Sequence, residues 1–396
     1  MKVRNSISSF LIWCGLIACA CLWFLSCPIH AANRLGPRLL EVKGGKLWMN
    51  SEDGPRIYFP GSIASGFDTV FQAKVDGRWQ SIAAFPSGKV WVVYNEWGKN
   101  IWDPQWFSGQ HSFKISTLRT ISDLGVLEAT GQGFIDGAEW EFSDRYSFEA
   151  GAIKVVRSWH HLSTLSQAAI TLATLVRVNL GGDTRWMLPG IIYNDNPGTY
   201  PTRQVPHLPY VPFAKGVYEE NRFPVPFVNM ESTVASHRIY ASIISVPSRV
   251  PEAHRSEDQW WSLGLQWLWG NKADLMLLSG AVTTNGMNSM VYGHLNGFDP
   301  YEGAYIDAKG NVTFQKTFYI DVGAAKRKGY SFRETLWKTF KIFDPYRTQS
   351  IPFDQAMDLK FQYAANTFYH GTNGADGFPL MSLAEDPRTV CTELRE

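Results

Sequence analysis

From Arg38 to Asp321 the apolar positions fall in short runs that either alternate with polar residues or are dense in β-branched side chains, and each run ends at a turn signal. A repeat of two puts successive side chains on opposite faces of an extended chain, so the pattern predicts half-buried β-strands. FQAKVDGRWQSIAAF pairs two such runs around Asp76-Gly77, and GFIDGAEWEFSDRYSFEAGAIKVVRSW repeats the device at Asp136-Gly137 and Ala150-Gly151. YIDAKGNVTFQKTFYIDV places Lys309-Gly310 between two more runs. Glycine there supplies the positive φ that a tight hairpin needs. Later strands are predicted in AAITLATLVRVNL, HRIYASIISV, WWSLGLQWLW and ADLMLLSG. About a dozen strands or more with hardly any helical period is more than one small sandwich needs, and the expected architecture is a large two-sheet antiparallel supersandwich. Its expected bounds are residues 34–325.

The period changes at Tyr330. SFRETLWKTFKIF offers Ser331 as N-cap with Glu334 three residues on, the capping-box spacing. Phe332, Leu336, Phe340 and Phe343 then share one helical face, and Asp344-Pro345 stops the helix. This predicts a linker helix within 330–349. A second helix is expected from Pro352 to Tyr369, with proline in its first turn and Gly371 beyond its end, opening a segment 350–396.

The N-terminus, MKVRNSISSFLIWCGLIACACLWFLSCPIHAAN, runs from basic to apolar to small residues, the order of an export signal. Residues 1–31 are the expected leader, cleaved after Ala31. LIAC, Leu16 to Cys19, is a fair lipobox, which gives a lipid-anchored form starting at Cys19 as an alternative. An uncleaved anchor over Phe10 to Cys27 is another. The expected location is secreted or periplasmic, or lipid-anchored at a bacterial envelope. Four of the five cysteines lie in the leader, so Cys391 alone makes neither a disulfide framework nor a zinc site. Loss of Lys2 and Arg4 takes the formal charge from +1 to −1, and a near-neutral chain without a basic stripe argues against nucleic acid as partner. Aromatic residues reach 14 % against only 18 % charged, a surplus that suits either wide sheet packing or flat stacking surfaces for ligands such as sugars.

Four stretches, RYSFEAGAIKVVRSWHHLS, WMLPGIIYNDNPG, QWWSLGLQWLWG and the junction YSFRETLWKTFKIFDP, stand in the order long all-β region, capped linker helix, helix opening a new domain. In this the chain resembles the bacterial glycoside hydrolases and phosphorylases that join an N-terminal galactose mutarotase-like β-supersandwich to a C-terminal (α/α)6 six-hairpin barrel. The likeness covers most of the chain as architecture and includes no short catalytic signature. It implies an N-terminal part of a secreted carbohydrate-active enzyme whose partners are an oligo- or polysaccharide and the missing (α/α)6 domain. In that family the acid and base generally sit on barrel loops, so the resemblance implies that this chain alone is inactive. Hydrolysis needs two carboxyl groups about 5 Å or about 6.5–9.5 Å apart.

Several stretches offer candidate chemistry. RWMLPGIIYNDNPGTYPTRQVPHLPYVPF, residues 185 to 213, carries prolines that exclude a central strand and favour a long, stiff excursion. In it Asn194, Asp195 and Asn196 offer mixed donors and acceptors, Arg203 a planar fork, His207 an imidazole, and Tyr193, Tyr200 and Tyr210 flat faces for pyranose rings. The other reading is an edge cover whose Asn and Asp serve their own turns. In HRSEDQWWSLGLQWLWG the spacing puts Trp261, Leu263, Leu265, Trp267 and Trp269 on one core-facing side and Trp260 on the other, making Trp260 the stacking candidate, with Glu257 and Asp258 just before it. His160 and His161 raise an aldose epimerase alternative, although neighbours in a strand face opposite ways. Asn296, Asp299, Glu302 and Asp307 carry oxygen ligands without EF-hand spacing and read as an acidic turn. His370, Asn373 and Asp376 would line the first barrel loop under the family resemblance. There is no HExxH-type cluster, and no metal or cofactor is expected. A free-standing carbohydrate-binding module without catalysis remains the alternative of a different class.

Overall fold

The computed structural model describes residues 41–43, 46–51, 54–97, 107–121, 125–193, 212, 215–255, 259–280, 283–284, 304–344, 351–367, 370–372, 375–379 and 390–391. The strands run in chain order as β1 (Glu41–Lys43), β2 (Lys46–Asn50), β3 (Arg56–Phe59), β4 (Gly61–Ser62), β5 (Gly66–Phe67), β6 (Val70–Val75), β7 (Arg78–Ala84), β8 (Trp91–Trp97) and β9 (Phe107–Phe113). There follow β10 (Thr117–Ile121), β11 (Val126–Ile135), β12 (Ala138–Glu149), β13 (Ala152–His161), β14 (Gln167–Asn179), β15 (Gly182–Leu188), β16 (Ile192–Tyr193) and β17 (Lys215–Glu219). The sandwich is completed by β18 (Phe227–Val234), β19 (His237–Ser245), β20 (Ser262–Leu268), β21 (Lys272–Leu278), β22 (Thr283–Thr284), β23 (Ile306–Ala308) and β24 (Val312–Ala324).

Two large sheets hold nearly all of these strands. The first has the order β1-β2-β3-β6-β7-β14-β21-β20-β17-β22, with β8, β9 and β23 attached around β14. The second has the order β10-β11-β12-β13-β24-β19-β18-β15-β16. Every described pairing in both is antiparallel. This is the expected two-sheet sandwich, with the alternation carried strictly in β12, where Ala138, Trp140, Phe142, Asp144 and Tyr146 point inward. The turns Asp76-Gly77, Asp136-Gly137 and Ala150-Gly151 each have two successive positive φ values and join directly paired strands.

Lys309-Gly310 departs from expectation. It does not close a hairpin, because β23 pairs with β14 in the first sheet while β24 pairs with β13 and β19 in the second. The positive φ belongs to Asn311, and Gly310 is small because a Cβ there would stand 2.5 Å from the Thr164 carbonyl oxygen. A glycine in a turn signal marks space as readily as it marks a hairpin.

The inner faces of both sheets share one core that includes Trp91, Trp140, Trp159, Trp261 and Trp267. Two ion pairs are sealed into it, each with both side chains wholly buried: Arg157–Asp144 at 2.6 Å and Lys316–Glu220 at 2.6 Å. Trp91 Nε1 and the Tyr146 hydroxyl donate to Asp144, and Arg157 donates to Thr174, so the first pair is saturated with partners. Ser245, the Ser248 amide and Lys316 donate to Glu220. Desolvation pushes the Lys316 ammonium down to about 8, against the pull of Glu220.

After β24 comes α1 (Ser331–Phe343), laid on the outer face of the second sheet. Its buried stripe is Ser331, Thr335 and Thr339, with Phe332, Leu336, Ile342 and Phe343 half-buried beside it and Phe340 exposed. The expected apolar face is therefore only partly used. The reason lies beneath it, where Asn229, Ser242 and Asp321 form a polar floor that pairs with hydroxyls. Ser331 donates its hydroxyl to Asn229 Oδ1, and the start of the helix is held by Glu231, which accepts from the Gly329 and Ser331 amides.

The chain divides into two compact units, Met1–Phe343 and Asp344–Glu396. In the second unit lie α2 (Phe353–Thr367) and the short strands β25 (His370–Thr372), β26 (Ala375–Pro379) and β27 (Val390–Cys391). Phe353, Phe361 and Tyr363 of α2 are exposed.

Candidate functional site

Most of the residues singled out in the sequence, namely Asn194, Asp195, Asn196, Tyr200, Arg203, His207, Glu257 and Asp258, lie outside the described residues, as do Asn296, Asp299, Glu302 and Asn373. The described edge of the proline-rich stretch ends at Tyr193, half-exposed, whose hydroxyl accepts from the Gly190 amide at 2.8 Å. His370 and Asp376 belong to the β25-β26 hairpin.

The tryptophan-rich strand divides largely as its period dictates. Trp261, Leu263, Leu265 and Trp267 of the inner face are buried, and Trp261 stacks on Trp159 at 5.5 Å. Trp269 does not join them and is 69 % exposed. β20 ends at Leu268 and the chain turns back through Gly270 and Asn271, both at positive φ, which lifts Trp269 off the strand face. Trp260 sits just before β20 and is half-buried, bridged to Arg249, whose guanidinium lies 5.8 Å from its ring.

On the outer face of the first sheet the strand register places four polar side chains in one row. Arg177 of β14 is opposite Asp274 of β21, Asp274 opposite Gln266 of β20, and Gln266 opposite Lys215 of β17. Three strand spacings make this row about 14 Å long. Arg177 grips Asp274 with two bonds of 2.6 and 2.8 Å, a fork that leaves the carboxylate acting only as acceptor and raises the pKa of the arginine. At one end, Gln110 Nε2 donates to the Tyr94 hydroxyl at 2.9 Å, and Lys89 donates to Gln110 Oε1. Burial, with the Asp274 charge adding to it, holds the Tyr94 hydroxyl well above its ordinary pKa, so it stays a neutral donor and acceptor. These groups line a cleft of about 370 Å³ whose apolar part comes from Leu175 and Leu268. Next to the polar row Leu175, Met276 and Val217, with Gly264 between, are buried in a small apolar cluster of their own.

The sequence hid this cleft. Arg177 and Asp274 read as the polar positions of ordinary alternating strands, 97 residues apart, and only the pairing of β14 with β21 joins them. The nearest signal was Gln266 on the face opposite the tryptophans.

A second cleft, of about 600 Å³, lies near Trp260 and is lined by Arg249, Val250, Glu252, His254, Asp307 and Lys309 among others. Asp307 does not form an isolated acidic turn. Its carboxylate takes His254 Nδ1 at 2.6 Å, and the imidazole stacks on Tyr305 with centroids 4.4 Å apart. Lys309 pairs with Glu252.

The adjacent histidines of β13 part ways, as strand geometry requires. His161 is buried in the core against Trp140, with Nδ1 2.9 Å from the Lys309 carbonyl oxygen. His160 is on the outer face, 3.9 Å from Glu141 and bonded to Asn311. Neither lines either cleft. Among the described residues no group of three His, Cys, Asp or Glu side chains is placed to hold a metal ion, and no helix is long and apolar enough to cross a membrane.

No protein-family model matches the sequence, and no curated protein matches it. Solved chains of similar structure include galactose mutarotase-like sandwich proteins. One, from Lactobacillus casei, is 10 % identical with a TM-score of 0.39, and the match covers 70 % of this chain and 100 % of that one. A candidate aldose 1-epimerase from Escherichia coli K12 is 10 % identical with a TM-score of 0.35, over 69 % of this chain and 98 % of its own. A candidate kojibiose phosphorylase from the human microbiome is 10 % identical with a TM-score of 0.30, and the match covers 84 % of this chain and 39 % of the phosphorylase.

Proposed function

We propose that the sandwich is the saccharide-binding part of an exported carbohydrate-active enzyme of the glycoside hydrolase type, and that it holds an oligo- or polysaccharide along the outer face of the first sheet. The observation that carries this reading is the in-register row Arg177, Asp274, Gln266 and Lys215 at the base of a cleft, with Lys215 and Asp274 nearly buried and Arg177 and Gln266 more open. Neighbouring sugar hydroxyls need closely spaced donors and acceptors, which Arg177, Gln266, Gln110 and Lys89 supply along the cleft, and the ring carbons need an apolar contact, for which Leu268 and the edge of Leu175 line it. Among the described lining residues Asp274 is the sole carboxylate, and it is spent on Arg177, so the cleft is built to bind and not to cleave. The leader supports export, and Asn194, Asp195, Asn196, Tyr200, Arg203, His207, Glu257, Asp258 and Trp260 are further contacts of the same ligand in this reading.

Titration of the protein with a panel of neutral oligosaccharides by calorimetry tests this. Gln266→Ala and Gln110→Ala are expected each to weaken binding about three- to tenfold, the worth of a neutral hydrogen bond. Unaltered affinity in both, or no binding across the panel, sinks the assignment.

A further inference from the structure

The cleft beside Trp260 carries an arrangement that saccharide binding does not use. Two chain segments run past each other there, Ala253 bridging Ile306. The His254 amide donates to the Tyr305 carbonyl at 3.0 Å and the Asp307 amide to the Glu252 carbonyl at 3.0 Å. The backbone thus fixes both ends of the side-chain contact, and stacking on Tyr305 fixes the plane of the imidazole. Asp307 at Nδ1 selects the tautomer with hydrogen on that nitrogen, which leaves the lone pair on Nε2. Among the described residues no hydrogen bond reaches Nε2, and the His254 side chain is 47 % exposed. Glu252, next in the lining, holds φ at +54°, a left-handed conformation that a non-glycine residue keeps only when its surroundings impose it. An oriented imidazole with a free basic nitrogen in an open cleft is the working half of a general-base site.

We propose that His254 is a general base for hydrolysis of a carboxylic ester in this cleft, with Asp307 as its positioning residue. His254 Nε2 takes a proton from water as the water oxygen bonds to the acyl carbon. The tetrahedral intermediate then breaks its bond to the alkoxy oxygen, and His254 returns the proton to that leaving group, so that acid and alcohol are the products and no co-reactant is needed. Negative charge gathers on the former carbonyl oxygen, and Arg249 and Lys309 are the cations lining the space where it develops. The proposal does not rest on the saccharide reading, because its substrate bond and its residues are different.

The probe is 4-nitrophenyl acetate with the full chain, the rate being compared with that of free imidazole at equal concentration. Turnover is expected to be saturable, to fall by about a hundredfold or more in His254→Gln, and to be unchanged in His160→Gln. Asp307→Asn is expected to lower kcat more than it raises KM and to move the acidic limb of the pH profile to lower pH, because the imidazolium loses its carboxylate neighbour, a shift that mere loss of fold would not produce. The other charged or titratable groups around the imidazole, Glu252, Lys309, Arg249 and Tyr305, are the same in both variants. Melting curves on each variant separate unfolding from lost chemistry. A rate that rises linearly with substrate without saturating, one no faster than imidazole, or one insensitive to His254→Gln overturns the proposal.

Discussion

At the scale of single residues, the most informative groups are the charges inside the core. Asp144 and Arg157 face each other from adjacent strands, and neither has any contact with solvent. Desolvating two ions is costly, so a buried pair is weak evidence of net stabilisation, whereas removing one partner strands the other. Arg157→Met is therefore expected to cost about 3–5 kcal/mol, and adding Asp144→Leu to recover much of that loss. Urea unfolding of the two single variants and the double variant checks it, and additive losses would contradict it. The sequence does not disclose these charges. In KVVRSW the repeat of two aims arginine inward beside Val155 and Trp159, yet an arginine ordinarily reads as a surface residue. The same holds for Lys316, inward between Phe314 and Phe318 on β24. Period gives direction, and only the opposing sheet reveals whether a charge meets a partner there.

Among the elements, α1 shows how far local pattern reaches. Its existence, its start near Ser331 and its end before Pro345 are legible, although the expected Ser331-Glu334 capping box does not form: the Ser331 hydroxyl goes to Asn229, and Glu231, from a distant strand, takes the first amides. Which side it buries is not legible, because that depends on the floor supplied by β18, β19 and β24. Asp321 on that floor accepts from Lys338, from the Tyr240 hydroxyl at 3.2 Å and from the Thr335 hydroxyl at 3.0 Å. Asp321→Asn is expected to lower stability by about 2 kcal/mol, the scale of hydrogen bonds to a charged group. Amide exchange should speed up across 331–343 while β11 and β12 stay protected. Equal acceleration in both places would mean that the helix is not docked through this carboxylate. The hairpins follow the same logic: Asp136-Gly137 is legible because the two strands it joins are neighbours in space, and Lys309-Gly310 is misread because its strands belong to different sheets.

For the molecule as a whole, the two-sheet class follows from strand number and period, while strand order does not. β14, paired with β7, β8, β21 and β23, is the hub of the first sheet, and nothing in AAITLATLVRVNL sets it apart from its neighbours. The cleft through Arg177, Asp274, Gln266 and Lys215 exists only because of that order, which explains why the residues singled out from sequence were instead those in prominent loops. The second sheet has a further asymmetry, in that β24, its last strand in the chain, lies at its centre between β13 and β19. A chain ended after Asn311 is expected to lose cooperative unfolding, whereas one ended after Phe343 keeps it; differential scanning calorimetry distinguishes them, and a sharp transition in the shorter chain would refute the point.

That central strand also sets a clock on biogenesis. Two hydrogen-bonded ribbons, β10 to β13 and the set β15, β16, β18 and β19, have finished synthesis before the partner they share has been made, and Glu220 waits 96 residues for its ammonium. Their unpaired edges are exposed throughout that interval, which makes the nascent chain a client for holding factors and leaves it threadable until its final strand arrives.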